Sequence, residues 1–166
     1  MECDIRACRG CRVVDQPLGD VEVEGGANFP VLIAGTAAND ATQTFNPTKQ
    51  LQRPGLLLMG GVVYAAFGAH CDSSPYSGWV AGISTTGSLT TLWTATSQAG
   101  GGAGIWQAGG GLVSDGPGAD HPVDRQRQFA GRPHSRQTPP TALGEAVVRL
   151  TVQGDGSLKA TDYFAP

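Results

Sequence analysis

Between Gly60 and Asp115 the chain reads GGVVYAAFGAHCDSSPYSGWVAGISTTGSLTTLWTATSQAGGGAGIWQAGGGLVSD, a run of short β-branched and aromatic stretches separated by glycine. Such a run suits strands of a few residues closed by tight turns, because Val, Ile, Thr and aromatic side chains pack on a pleated surface and glycine supplies the positive φ that hairpins require. Leu56–Met59, a Gly60-Gly61 turn and Val62–Phe67 form one expected hairpin. Gly78–Ile83, the turn Ser84–Gly87 and Leu89–Thr96 form a second. Four strands in about 40 residues make one sheet of blade size. Ile105–Ala108, the glycines Gly109–Gly111 and Leu112–Ser114 then open another.

Composition supports an all-β chain and narrows its partners. Glycine (25) and proline (11) are abundant while charged residues make up only 15%, which favours strands and turns over helices. A formal charge of -3 offers no footprint for nucleic acid or an anionic membrane, and neither is expected as a partner. No apolar run reaches the roughly 18 residues of a membrane span. Met1–Glu24 contains no apolar core of a secretory signal, so localisation stays open. Cys3, Cys8 and Cys11 cluster in that segment and only Cys71 lies among the strands, which is not a disulfide framework.

Outside the glycine-punctuated run the pattern weakens. Residues 1–27 carry no sustained period and are expected to be irregular and disordered. A partial β-sheet domain is expected over 28–166. It holds one strand at Pro30–Ala34 and then the polar connection GTAANDATQTFNPTKQLQRP, where Pro47 and Pro54 oppose regular pairing. The segment 116–140, GPGADHPVDRQRQFAGRPHSRQTPP, is rich in Arg and Pro; no strand is expected in it. Order returns at EAVVRLTVQGDGSLKATDYFA, a hairpin about Gly154–Gly156 with Val147, Leu150 and Val152 set against Leu158, Tyr163 and Phe164. That hairpin would finish the interrupted sheet.

The phrases GVVYAAFGAHCDSSPYSGWVAGI, GGGAGIWQAGGGLVSDG and EAVVRLTVQGDGSLKATDYFAP resemble secreted bacterial and fungal β-propellers with pyrroloquinoline-quinone-like (PQQ-like) repeats, over Phe45–Gly118 and Leu143–Pro166. Gly78–Trp93 is also similar to the tryptophan-docking repeat of quinoprotein propellers, with Ser84 near the place of its usual acidic residue. The resemblance implies an all-β, partial β-propeller of four-stranded antiparallel blades, truncated at about two blades, acting as a non-catalytic binding or scaffold domain. It also implies a regular strand between Gly118 and Thr138. What stands at Ala119–Arg136 looks like translation in another reading frame, as Met1–Glu24 does. Further blades, or another chain pairing with open sheet edges, would be partners.

The chemistry-bearing residues are sparse. His70, Asp72, Tyr76, Trp79 and Trp106 are the best candidate group, because an acceptor, an imidazole and aromatic faces suit a carbohydrate or another polar small molecule; of these, His70, Asp72, Tyr76 and Trp106 are the expected ligand-binding residues, and Trp79 and Trp93 are expected in the core. Ala69-His70-Cys71 resembles a catalytic-histidine segment of trypsin-like proteases, but no nucleophile sequence accompanies it. Cys3, Cys8 and Cys11 fall short of four zinc ligands. The glycines at 100–104 and 109–111 precede a strand, not the helix that phosphate binding requires, and Arg125, Arg127, Arg132 and Arg136 are offset by Asp120 and Asp124. No metal or catalytic residue is expected. PQQ with calcium would belong only to the alternative, a remnant quinoprotein dehydrogenase, and the adjacent cysteine pair of that class is missing from the chain.

Overall fold

A computed structural model describes residues 20–21, 28, 31–70, 75–96, 103–107, 110–114, 122–124, 143–144 and 146–165. Strands there are short and pair antiparallel: β1 (Asp20–Val21), β2 (Val31–Leu32), β3 (Thr36–Ala37), β4 (Asp40–Thr44), β5 (Gln50–Gln52), β6 (Leu57–Met59), β7 (Val62–Ala69), β8 (Trp79–Ser84), β9 (Leu89–Thr94), β10 (Val113–Ser114), β11 (Pro122–Asp124), β12 (Val147–Val152) and β13 (Leu158–Phe164). None of their sheets closes on itself. Among the described residues no helix is long and apolar enough to cross a membrane.

The central sheet follows the order β5-β7-β8-β9, and β6 shares the outer edge of β7 with β5. Gly60 and Gly61, at φ 60 and 78, make the tight β6–β7 turn that places Leu58 opposite Val63; the turn conformation needs positive φ at both central positions. Alternate residues of β7 then enter different cores. Tyr64 and Ala66 join Val80 and Trp93 on one face, while Ala65 and Phe67 join Trp79, Ile83 and Leu92 on the other. A sheet buried on both faces explains why these strands read as continuous apolar runs.

Each face has its own cover. The sheet β10-β11-β12-β13 packs on the first through Val148, Leu150, Val152, Leu158, Ala160 and Tyr163. On the second lie Val31, Ile33, Ala37 and Phe45, from β2, β3 and the end of β4. The result is three sheet layers, with the middle one in contact with both others.

Two sequence expectations need correction. The polar connection after Ala34 is not a loop: it contains the hairpin β3–β4, a 3-10 turn at Pro47–Lys49 and the edge strand β5. Its prolines sit where they do no damage. Pro47 starts the 3-10 turn, where its missing N–H is not needed, and Pro54 lies two residues beyond the end of β5. Within 116–140, β11 pairs Val113 and Ser114 of β10 on one side and Arg149–Thr151 of β12 on the other, so a strand does stand in that segment. In 1–27, β1 pairs with β2. The other residues expected to be irregular at 1–27 and 116–140 lie outside the described ones.

The last hairpin also differs in detail. A register shift between Arg149 and Leu150 puts Val148 opposite Tyr163 and Val147 opposite Phe164. Val148 and Tyr163 pack inward, so Val147 and Phe164 form a pair on the outer face. The hairpin turn is held by Asp155, whose Oδ1 accepts from the Ser157 N–H at 2.9 Å and hydroxyl at 2.7 Å. These bonds favour the carboxylate and lower the Asp155 pKa. Asp40 with Thr42 and Asn46 with Thr48 repeat the same side-chain turn, the local bonding for which Asp and Asn are favoured at chain reversals.

The outer edge of β9 is closed by a side chain. Asn39 donates from Nδ2 to the Thr94 carbonyl at 2.9 Å and accepts at Oδ1 from the Thr94 N–H at 3.0 Å. The carboxamide thus occupies the place of a neighbouring strand's peptide, and the Ala38 N–H adds a bond to the Leu92 carbonyl at 2.7 Å. Replacement of Asn39 by Ala leaves both Thr94 groups unpaired in a part-buried site, so Asn39→Ala should lower unfolding free energy by about 1–3 kcal/mol in urea denaturation. Burial raises the Tyr64 phenol above its ordinary value of 10.0. A raised pKa gives stability that is complete below the unfolded pKa and declines as pH rises towards the folded one. Tyr64→Phe should therefore flatten the loss of melting temperature above about pH 10.

Candidate functional site

The hairpin β3–β4 and the 3-10 turn form one wall of a cleft because Phe45 anchors them. Its ring packs edge-on against Phe67, with centroids 5.2 Å apart, and against Trp79 at 5.5 Å. Directly after this anchor, Asn46 caps the 3-10 turn by accepting from the Thr48 N–H at 3.1 Å and hydroxyl at 2.7 Å. Lys49 reaches across the gap, its Nζ donating to the Pro75 carbonyl at 3.2 Å. Between that wall and Pro75–Ser77 lies a cleft of about 210 Å³.

The cleft surface is mostly neutral and hydrogen-bonding. Gln43, Thr44, Asn46, Gln50 and Ser77 contribute carboxamides and hydroxyls, Tyr76 a phenol ring, and Lys49 the single ionic group among the described lining residues. Carboxamides and hydroxyls both donate and accept, so the wall complements a ligand of the same mixed character. Trp79 lines the floor and is 2% exposed; it sets the shape of the cleft and offers little face for stacking.

Tyr76 connects the cleft to Trp106, with ring centroids 6.4 Å apart at 76°. Trp106 lies on the end of β7 because the backbone beneath it lacks side chains. A Cβ at Gly68 would stand 2.8 Å from its Cε3, and one at Gly104 would stand 2.7 Å from its Nε1. The Ile105 N–H donates to the Phe67 carbonyl at 3.2 Å and fixes the segment along the strand. Ala103 is held in turn against Gly78, where a Cβ would sit only 2.0 Å from the Ala103 oxygen.

Of the expected binding residues, the structure brings Tyr76 and Trp106 together and places Tyr76 in the cleft beside Trp79. His70 follows the end of β7, its backbone N–H donating to the Lys49 carbonyl at 2.9 Å, and its side chain does not line the cleft. Asp72 lies outside the described residues. Sequence reasoning missed Gln43, Thr44, Asn46, Lys49, Gln50 and Ser77. The available signal was the alternation of DATQT and the Asn-Pro-Thr turn after it, which together describe a polar edge hairpin. Trp79 and Trp93 are buried in separate cores.

Among the described residues no three His, Cys, Asp or Glu side chains gather in one place. No catalytic step is assigned to the residues of the cleft. Substitution of Gly68 by Ala should push the indole off β7: Gly68→Ala is expected to shift tryptophan emission to longer wavelength and to reduce stability by about 1–3 kcal/mol on thermal denaturation. In comparisons of the whole chain, no family model, curated protein or solved structure matches it.

Proposed function

We propose that this chain is a partial β-propeller of the PQQ-like repeat type, serving as a non-catalytic scaffold that binds a small, neutral, hydroxyl-bearing molecule such as a carbohydrate. The stacking of like strands carries the architectural half of this reading. The residues just ahead of β6 and of β10 meet through an isolated parallel bridge between Gly55 and Gly111, with the Gly55 N–H donating to the Gly110 carbonyl at 2.6 Å. At the other side of the same two sheets, β9 contacts β13. Successive blades of a propeller repeat one chain direction about an axis, so their corresponding strands stack in this manner. Glycines at the bridge suit a narrow approach near such an axis, since a Cβ at Gly111 would lie 2.8 Å from the Gly55 oxygen.

The ligand half rests on the cleft. A cavity of about 210 Å³ is smaller than the sites that enclose drug-sized molecules and suits one ring. Lys49, the one cation among the described lining residues and already bonded to the Pro75 carbonyl, gives weak discrimination in favour of anions, whereas the carboxamides and hydroxyls match hydroxyl groups of either polarity. Pairing of a partner strand along β9 is disfavoured, because the Leu92 and Thr94 carbonyls are already engaged.

Titration of the labelled protein with neutral methyl glycosides, followed by amide chemical shifts, tests the reading. Shifts should concentrate at Thr44, Gln50 and Ser77, saturate in the millimolar range and weaken at least threefold in Thr44→Ala; inorganic phosphate should leave them unchanged. Dye-linked dehydrogenase turnover on addition of PQQ and calcium would overturn the non-catalytic assignment. Absence of backbone contacts between Gly55 and Gly111 in the same spectra would overturn the stacked-blade assignment.

A further inference from the structure

We propose that Trp106 forms a second subsite beside the cleft, so that the ligand is a linear neutral glycan, with one ring seated among the polar cleft residues and the next lying on the indole. The inference deepens the carbohydrate reading of the cleft and rests on it. Trp106 stands apart from the other two tryptophans of the chain. Trp79 and Trp93 are 2% and 3% exposed and belong to the two cores. Trp106 is half-buried and, among the described residues, joins neither core. A large aromatic ring at the surface that packs in no core is available to a ligand.

The indole lies flat on backbone. A Cβ at Gly68 would stand 2.8, 3.0 and 3.1 Å from Cε3, Cδ2 and Cζ3, and one at Gly104 would stand 2.7, 2.9 and 3.2 Å from Nε1, Cε2 and Cζ2. A point beside the rim and in the ring plane cannot be so close to three atoms in a row, so both glycines lie against the flat of the ring. The Ile105 N–H donates to the Phe67 carbonyl at 3.2 Å, which bonds the Gly104-Ile105 peptide directly to the Phe67-Gly68 peptide. Two peptides in that contact leave no gap for a ring between them. Both glycines therefore underlie one face, and the exposure of Trp106 belongs to its rim and its opposite face.

Tyr76 joins the indole to the cleft. Its ring lines the cleft and meets Trp106 at 76° with centroids 6.4 Å apart, a separation comparable with the length of one sugar unit. The chemistry differs on the two sides of Tyr76. In the cleft, Thr44, Asn46, Gln50 and Ser77 offer hydrogen bonds. On the other side the indole offers an apolar face whose quadrupole is negative, which attracts weakly positive C–H groups. A pyranose carries both characters, hydroxyls around its rim and C–H groups on its faces, so a chain of two rings meets each site with the matching part. Joining both contacts in one ligand makes the second intramolecular and raises affinity over a single ring.

Titration calorimetry and acrylamide quenching of tryptophan emission test this with the full chain. The probes are methyl glycosides of glucose, mannose and galactose, each beside the disaccharide glycoside of the same sugar. For a sugar that binds, the disaccharide should bind about fivefold or more tightly than the single ring and should suppress quenching, which reports Trp106 because Trp79 and Trp93 are buried. Equal affinities, or tighter binding with quenching unchanged, would overturn the proposal. Trp106→Ala should abolish the disaccharide gain, and Trp106→Phe, which keeps an aromatic face over the two glycines, should retain part of it; a full gain in Trp106→Ala would also overturn it. The quenching measurement on the wild type decides the matter even where a variant does not fold. Single-ring binding at Thr44, Gln50 and Ser77 without a disaccharide gain would remove the subsite and leave the cleft reading standing; binding of no glycoside at all would remove both.

Discussion

Burial of the central sheet on both faces is the constraint from which the rest of the structure follows. Once Tyr64, Ala66, Val80 and Trp93 commit one face and Phe67, Trp79, Ile83 and Leu92 the other, neither side of β7–β9 tolerates water. A second and a third layer become necessary, since apolar area removed from solvent is the main favourable term in folding. The layers on either side need less apolar character. The sheet β10–β13 presents Arg149, Thr151 and Lys159 between inward residues, which is the alternation of a sheet with one wet face.

Local devices then hold the layers in place. Phe45 ties the polar hairpin to the core through two edge-on ring contacts, and the cleft wall begins at the next residue. Gly68, Gly78 and Gly104 let the backbone of Ala103–Trp106 lie against the central sheet at distances that a Cβ would forbid. The cleft and the indole beside it are thus consequences of packing: polar residues line a gap whose width is set by buried aromatic rings. The Leu143 N–H, bonded to the Ala95 carbonyl at 3.0 Å, ties the chain ahead of β12 to the residue just after β9.

The strands most readable in the sequence were those with the fewest alternatives. VVYAAF and WVAGI read as buried strands, and Gly60-Gly61, TTG and GDG mark the turns between strands; β6–β9, β12 and β13 follow from these. The edge hairpin β3–β4 was hidden because Asp, Thr and Gln score as loop residues and its stability comes from Phe45 and the Asn39 contact with β9, both long-range. β11 was hidden for a related reason. Its neighbours β10 and β12 supply both rows of hydrogen bonds, so its own composition carries little information. In the site, Tyr76 and Trp106 were legible as aromatic groups near loops. Gln43, Thr44 and Gln50 were not, since amide and hydroxyl residues acquire meaning only when a fold places them around one gap.

The carboxamide of Asn39 has a chemical consequence for the lifetime of the fold. It serves Thr94 as donor and acceptor at once, a pairing that a carboxylate of the same size cannot make, because an ionised carboxyl group only accepts. Hydrolysis of this one side-chain amide would set a negative oxygen against the Thr94 carbonyl and reopen the edge of β9. Open strand edges are templates for pairing with other chains. Slow loss of a single nitrogen would thus open an edge to pairing with other chains, and the age of a sample would become a variable in its solubility.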